Sequence, residues 1–342
     1  MLTIGIVGAG LRGRLFAAAL ATRNDVRVVA FAEPSQRVAA AAAEATGIDV
    51  VASHIDLLER YSPDAVIVAT PDFAHRQVAV DVALTGTHLL IEKPLATTLE
   101  DAEAIAAAVR EGGGRCLVGF ENRWNPHVVA ALHAVEAGDL GDHVTSSATL
   151  SNSYFVPTEM LSWAARSSPA WFLMPHSLDL VLALSGRAPV SVTAAGSRGI
   201  LTARGVDTWD VVHALITFDD RTTASLSSTW VLPDARDGIV DFQFTSIGTK
   251  GSVTADLGHQ GLTLVTDKQR ATWPLGSNVG HNPSGPAAWM VLDFATNLIS
   301  GEPLGPDVEH GLLVTKTICA VEESLRTGRS VVLDELVVSQ AE

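Results

Sequence analysis

Gly8-Ala9-Gly10-Leu11-Arg12-Gly13 directly follows a short apolar run, Leu2–Val7, and opens an Ala-rich segment. Glycines at this spacing permit a tight strand-to-helix turn, bring backbone N–H groups close to a pyrophosphate, and let helix and strand pack closely. Glu33 stands 20 residues beyond Gly13, where a carboxylate accepts hydrogen bonds from the adenosine ribose hydroxyls. A carboxylate there also repels a 2′-phosphate, which favours NAD, while Arg37 keeps NADP open. Lys93, in Glu92-Lys93-Pro94 after the apolar run His88–Ile91, has the chemistry to polarise a carbonyl oxygen or steady a developing alkoxide. His176, in His176-Ser177-Leu178-Asp179, follows Pro175, a residue suited to a helix start. The positive helix end there favours a neutral imidazole that can accept a proton. Taken alone, the glycine loop also fits a structural turn, Lys93 a solvated charge and His176 a satisfied capping histidine.

These residues need elements to hold them. Apolar runs at Leu2–Val7, Val26–Ala32, Ala65–Ala69, His88–Ile91 and Cys116–Gly119 have the length of strands buried on both faces. Helical segments at Leu11–Arg23, Ser35–Thr46, Phe73–Thr85 and Thr98–Glu111 alternate with them, the last opening on Thr98 with Asp101 three residues on. The alternation predicts an α/β fold: an N-terminal Rossmann-type, doubly wound parallel sheet over residues 1–121, binding the dinucleotide. Beyond it, Val144–Leu150, Val190–Ala195, Val211–Phe218, Thr223–Trp230, Asp241–Ile247 and Ser252–Ala255 alternate as strands of a large, mostly antiparallel sheet. Helices at Pro126–Ala137, Pro175–Leu184, Ala287–Ile299 and Val308–Arg326 complete a C-terminal α+β domain over residues 122–342.

The 342 residues suit two domains, and 47% apolar against 18% charged residues supply ample core. A net charge of −15 argues against nucleic acid or a membrane surface as partner. Arg12 and Arg14 fall inside the apolar N-terminal stretch rather than before it, unlike a signal peptide, and no run reaches membrane-spanning length. Cys116 and Cys319, far apart, form neither a disulfide framework nor a metal cluster. A cytoplasmic, metal-independent protein that handles small molecules is the expectation.

With Thr70-Pro71-Asp72-Phe73-Ala74-His75 after the preceding apolar run, the ordered set GxGxxG, T-P-x-x-x-H, E-K-P and H-x-x-D resembles the Gfo/Idh/MocA family of NAD(P)-dependent oxidoreductases across nearly the whole chain. The resemblance implies hydride transfer between a nicotinamide and a carbinol or carbonyl carbon of a sugar, cyclitol or related polyol. It implies Lys93 and His176 as the catalytic pair, Asp179 and Arg123 near the substrate, and a homodimer or homotetramer. Around the cofactor it implies Gly8, Gly10, Leu11, Arg12, Gly13, Glu33, Arg37, Thr70, Pro71, His75, Glu92, Lys93, Trp163 and Arg166. Members that act on sugars often carry an Asp four residues before the motif histidine, and Phe172 holds that position here. Trp171 and Phe172 therefore stand either as an apolar wall for substrate or as core. Asn152, His281 and Asn282 are softer substrate-contact candidates. Two other readings remain within the family: glycoside cleavage through transient oxidation, and a non-enzymatic NAD(P)/sugar sensor.

Overall fold

The computed structural model describes residues 1–235, 238–258, 261–265, 270–274 and 283–336. Short, continuously apolar runs form strands β1 (Leu2–Val7), β2 (Val26–Ala32), β3 (Val50–Val51), β4 (Ala65–Val68), β5 (His88–Glu92) and β6 (Cys116–Gly119). Between them lie α1 (Leu11–Leu20), α2 (Gln36–Thr46), α3 (His54–Tyr61), α4 (His75–Leu84) and α5 (Leu99–Gly112). The chain continues through α6 (Pro126–Glu136), β7 (His143–Ser153), α7 (Pro169–Phe172), α8 (Met174–Ser185), β8 (Pro189–Ser197), α9 (Ile200–Ala203), β9 (Val211–Phe218) and β10 (Thr223–Leu232). It ends with β11 (Val240–Gly248), β12 (Ser252–Asp256), β13 (Gly261–Val265), β14 (Arg270–Pro274), α10 (Pro286–Ser300), α11 (Val308–Thr327) and β15 (Val331–Val332).

Two compact units result: Met1–Trp124 with Gly276–Thr315, and Asn125–Leu275 with Lys316–Glu342. In the first, six parallel strands run in the order β3-β2-β1-β4-β5-β6. The order reverses between β1 and β4, so the crevice for a ligand opens at the carboxyl ends of those two strands. All four residues of β4 are buried, as strands covered on both faces require. Helix α10 supplies Met290, Val291 and Phe294 to the core that holds Ile4, Phe16 and Phe31. Helix ends follow local chemistry: Thr98 Oγ1 accepts from Asp101 N at 3.1 Å, and α5 closes on Gly113 at φ +72°.

The second unit is built on a seven-stranded sheet, β12-β11-β7-β10-β9-β8-β15. Its pairs are antiparallel except β10 with β7, which run parallel. Side chains alternate along the strands: Ala148, Leu150, Ala214, Ile216 and Leu226 are buried, while Ser147, Thr149, Thr193, Leu215 and Ser225 point outward.

Several elements depart from the sequence expectation. Helix α1 stops at Leu20, and the segment expected as Phe73–Thr85 divides into a 3-10 turn, Asp72–Ala74, followed by α4. Expected strand and helix ends elsewhere shift by one to three residues. Strand β3, two residues long, and helix α3, eight residues long, are absent from the sequence expectation because they are short: α3 buries Leu57 alone among its residues, against Gly5, where a Cβ would lie 2.5 Å from Leu57 Cδ2. Helix α8 begins at Met174 and buries ten of its 12 residues rather than one inward face. Among the described residues, no helix is long and apolar enough to cross a membrane, and no group of three or more His, Cys, Asp or Glu is placed to hold a metal ion.

Candidate active site

The three glycines of the first turn are required for different reasons. Gly8 has φ +98°, and a Cβ on it would stand 2.5 Å from Ala69 O, so the loop lies directly on the end of β4. A Cβ on Gly13 would stand 2.0 Å from Gly8 O, whereas one on Gly10 would meet no protein atom within 4 Å. The space beside Gly10 is open to a ligand, and Leu11, 77% exposed, opens the same helix. Glu33, at the end of β2, is clamped from both sides: Oε2 accepts from Ala9 N at 3.1 Å and Oε1 from Ser35 N at 2.9 Å. Each oxygen keeps a free lone pair for a ribose hydroxyl. Arg37 lies exposed in the first turn of α2.

The end of β4 adds Thr70, whose buried hydroxyl has no partner, and Pro71, which precedes the 3-10 turn. His75 is 1% exposed; its Nδ1 lies 2.9 Å from Pro94 O and its Nε2 3.2 Å from Thr70 O. The ring lies between the turn after β4 and the turn after β5, and burial pushes its pKa down against the raising effect of the Thr70, Pro94 and Leu95 carbonyls. An open cradle at Gly10, an unspent hydroxyl on Thr70 and a fixed carboxylate on Glu33 fit a dinucleotide.

Lys93 leaves the carboxyl end of β5 partly buried, its N–H donating to Glu92 Oε2 at 3.2 Å. Burial lowers its pKa, with Glu92 and Glu121 acting in the opposite direction. The Arg12 guanidinium reaches both carboxylates: Nε is 2.9 Å from Glu92 Oε1 and Nη2 is 2.6 Å from Glu121 Oε2. The Arg12 side chain therefore faces protein carboxylates. Arg123 Nη2 lies 3.4 Å from His310 Nε2, and Trp124 Nε1 donates to Asp293 Oδ2 at 3.0 Å.

In the second unit, Ser168 caps α7 by accepting from Trp171 N at 3.2 Å and donates to Glu322 Oε1 at 2.7 Å. Phe172 stands between Trp163, 5.9 Å away, and the fully buried Trp230, at 5.7 Å, centroid to centroid. An aromatic cluster thus encloses Phe172. Trp171 is half-buried, and Arg166, in the short turn after Trp163, is exposed. His176 lies in the first turn of α8, half-buried, its N–H donating to Leu173 O at 3.1 Å, and Asp179 one turn on has no exposed surface. Asn152 donates its amide to Ser151 O and Ile239 O, and its buried Oδ1 has no hydrogen-bond partner. His281 and Asn282 lie outside the described residues.

The first unit therefore gathers Gly8, Gly10, Gly13, Glu33, Thr70, Glu92 and Lys93 at the carboxyl ends of β1, β2, β4 and β5. Glu121 is a residue that sequence reasoning did not single out; its signal is an acid just past the end of β6, akin to Glu33 just after β2 and Glu92 closing β5. Trp230 carries no such signal, since it reads as an ordinary strand residue.

Comparison with known proteins accords with this geometry. Residues 2–120 match the family model described as "Oxidoreductase family, NAD-binding Rossmann fold", and residues 128–254 match the GFO/IDH/MocA C-terminal domain. The chain is 29% identical over 255 residues to inositol 2-dehydrogenase of Rhizobium meliloti, spanning 74% of each. It is 27% identical over 287 residues to levoglucosan dehydrogenase of Pseudarthrobacter phenanthrenivorans, spanning 74% of this chain and 73% of that one. The crystal structure of scyllo-inositol dehydrogenase from Lactobacillus casei, with NAD(H) and scyllo-inositol bound, superposes with a TM-score of 0.84 at 20% identity, over 98% of this chain and 100% of that one. With both halves matched and a glycine turn, a clamped carboxylate and a lysine at the carboxyl ends of the parallel strands, the chain belongs to the Gfo/Idh/MocA family of NAD(P)-dependent oxidoreductases.

Proposed function

We propose that the protein moves a hydride between NAD and a CH–OH carbon of a cyclitol or related polyol, the first unit binding the dinucleotide and the second the substrate. The observation that carries the reading is Lys93 held at the carboxyl end of β5, in the same unit as an open glycine cradle and a clamped ribose acid. Inositol and levoglucosan dehydrogenases among the relatives support the substrate class. The nicotinamide, when bound, supplies the redox chemistry. In oxidation, His176 takes the hydroxyl proton, Lys93 steadies the substrate oxygen, and Asp179 orients the site or binds a neighbouring hydroxyl. Phe172 replaces a hydroxyl-binding acid with an apolar ring, which suits a substrate presenting an apolar face to it.

Glu33 selects NAD. In a titration of nucleotide-free protein followed by energy transfer from its tryptophans, NADH is expected to saturate and NADPH to bind at least about tenfold more weakly. The reverse preference would hand the selecting role to Arg37, and binding of neither by folded protein would end the dehydrogenase reading. Screening sugars and cyclitols for NADH production then tests the substrate class.

We assign the outward face of the second sheet, which exposes Leu215 among small hydroxyl side chains, to a second copy of the chain. Ser147, Thr149, Thr193, Leu215 and Ser225 form its central band without a formal charge. In a chain of net charge −15, such a band removes the repulsion two copies would otherwise meet. Light scattering is expected to give a dimer or tetramer at micromolar concentration, and Leu215→Glu to shift it to monomer; a monomeric wild type would refute the assignment.

A further inference from the structure

Arg12 is out of place by elementary electrostatics. It sits in the first turn of α1, where the helix dipole disfavours a cation. What holds it are two carboxylates that arrive from different strand ends, Glu92 from β5 at 2.9 Å and Glu121 from beyond β6 at 2.6 Å, with the Phe16 ring 5.8 Å from its guanidinium carbon. Both acid side chains are largely shielded from solvent, at 9% and 20% exposure. Two shielded carboxylates within reach of one guanidinium repel each other unless that guanidinium stays between them. Lys93 is the next residue after Glu92, and its own N–H already donates to Glu92 Oε2.

The charged groups that face Lys93 within this unit are Glu92 on β5, Glu121 after β6, Arg12 on α1 and Asp72 in the turn after β4. Without Arg12, the charge of Glu92 and Glu121 would bear on the Lys93 ammonium without that guanidinium to offset it and would hold its proton more tightly. With Arg12 present, Glu92 and Glu121 are engaged elsewhere. We propose that Arg12 is a positioning residue for Lys93: by bridging Glu92 and Glu121 it offsets their charge and keeps both carboxylates from competing with the substrate oxygen for the lysine's ammonium. This rests on the role given to Lys93 above and adds to it the group that holds the neighbouring acids in place. Burial of Glu121 raises its pKa, and Arg12 opposes this shift.

The test reads Lys93 directly. The chain has four lysines, Lys93, Lys250, Lys268 and Lys316, so competitive acetylation with acetic anhydride across a pH series, followed by peptide mass spectrometry, yields the titration midpoint of Lys93 in folded protein without substrate. Arg12→Gln is expected to raise that midpoint by at least about one pH unit. Glu121→Gln alone is expected to lower it, the double variant to return it to within a few tenths of wild type, and Arg12→Lys to hold it. Glu121→Gln serves as the independent arm should Arg12→Gln fail to fold. Identical midpoints in wild type, Arg12→Gln and Glu121→Gln, with only melting temperature changed, would reduce Arg12 to a structural bridge and overturn the proposal. If the midpoints move as expected while the pH profile of turnover stays still, Arg12 keeps its hold on Lys93 and it is the catalytic role of Lys93 that fails.

Discussion

Lys93→Met is expected to lower kcat by roughly a thousandfold while changing NADH affinity by less than about threefold. Methionine keeps the length and apolar stem of lysine, so the space beside the turn after β5 stays filled. What disappears is the cation that meets charge developing on the substrate oxygen, an interaction stronger in the transition state than in the bound ground state. The loss should therefore fall on kcat and kcat/KM together, with little effect on cofactor binding, which is carried by the glycine turn and Glu33. Steady-state kinetics alongside the tryptophan energy-transfer titration separate the two. Full turnover with normal NADH binding would remove Lys93 from the mechanism.

Gly10→Ala and Gly13→Ala should diverge, although both add one methyl group to the same turn. At Gly10 the new carbon meets no protein atom within 4 Å, so the melting temperature should stay within about one degree. The methyl would instead occupy the approach of the pyrophosphate, and NADH affinity should fall by at least about tenfold. At Gly13 the carbon would lie 2.0 Å from the backbone oxygen of Gly8, which no side-chain rotation relieves. That variant should lose more than about 3 kcal/mol of stability and expose the core beneath α1. Parallel thermal melts and NADH titrations check both. Undiminished NADH binding by Gly10→Ala would mean that the cradle beside Gly10 is not where the pyrophosphate lies.

The parts of this fold that showed in the sequence are those where local chemistry and tertiary fate agree. The β4 run Ala65–Val68 is apolar at every position because it is buried on both faces, and Thr98 announces α5 because its hydroxyl caps that helix. Gly8 and Gly13 show because each answers a nearby steric fact, a Cβ on either meeting backbone oxygen at 2.5 Å or less. Elements whose existence depends on distant partners did not show. Helix α3 survives on Leu57 lying over Gly5, 52 residues earlier in the chain. The parallel pairing of β7 with β10 joins strands whose own patterns are indifferent to direction. The ion pairs of Arg12 join residues from three strand-to-helix turns, and nothing in GxGxxG says where the side chain of its fifth residue will go. Phe172 is the converse: its oddity is visible in the motif, and its packing against Trp163 and Trp230 is known only from the fold.

The first unit is assembled from two separated stretches of chain, and this bears on how it is made at the ribosome. Its core includes Ala288, Met290, Val291, Phe294 and Ala295 of α10, and the Trp124 indole and Arg23 bond to Asp293 and Leu292 there. An N-terminal domain commonly folds as soon as it emerges. Here the glycine turn, Glu33 and Lys93 are all synthesised early, yet the sheet that carries them keeps an uncovered apolar flank until residue 300 or so has followed. At ordinary synthesis rates that interval lasts on the order of ten to thirty-five seconds, during which the nascent chain offers Phe16 and its neighbours to any chaperone within reach. For the same reason a gene fragment cut at residue 124 would yield an unfinished protein rather than a small nucleotide-binding one.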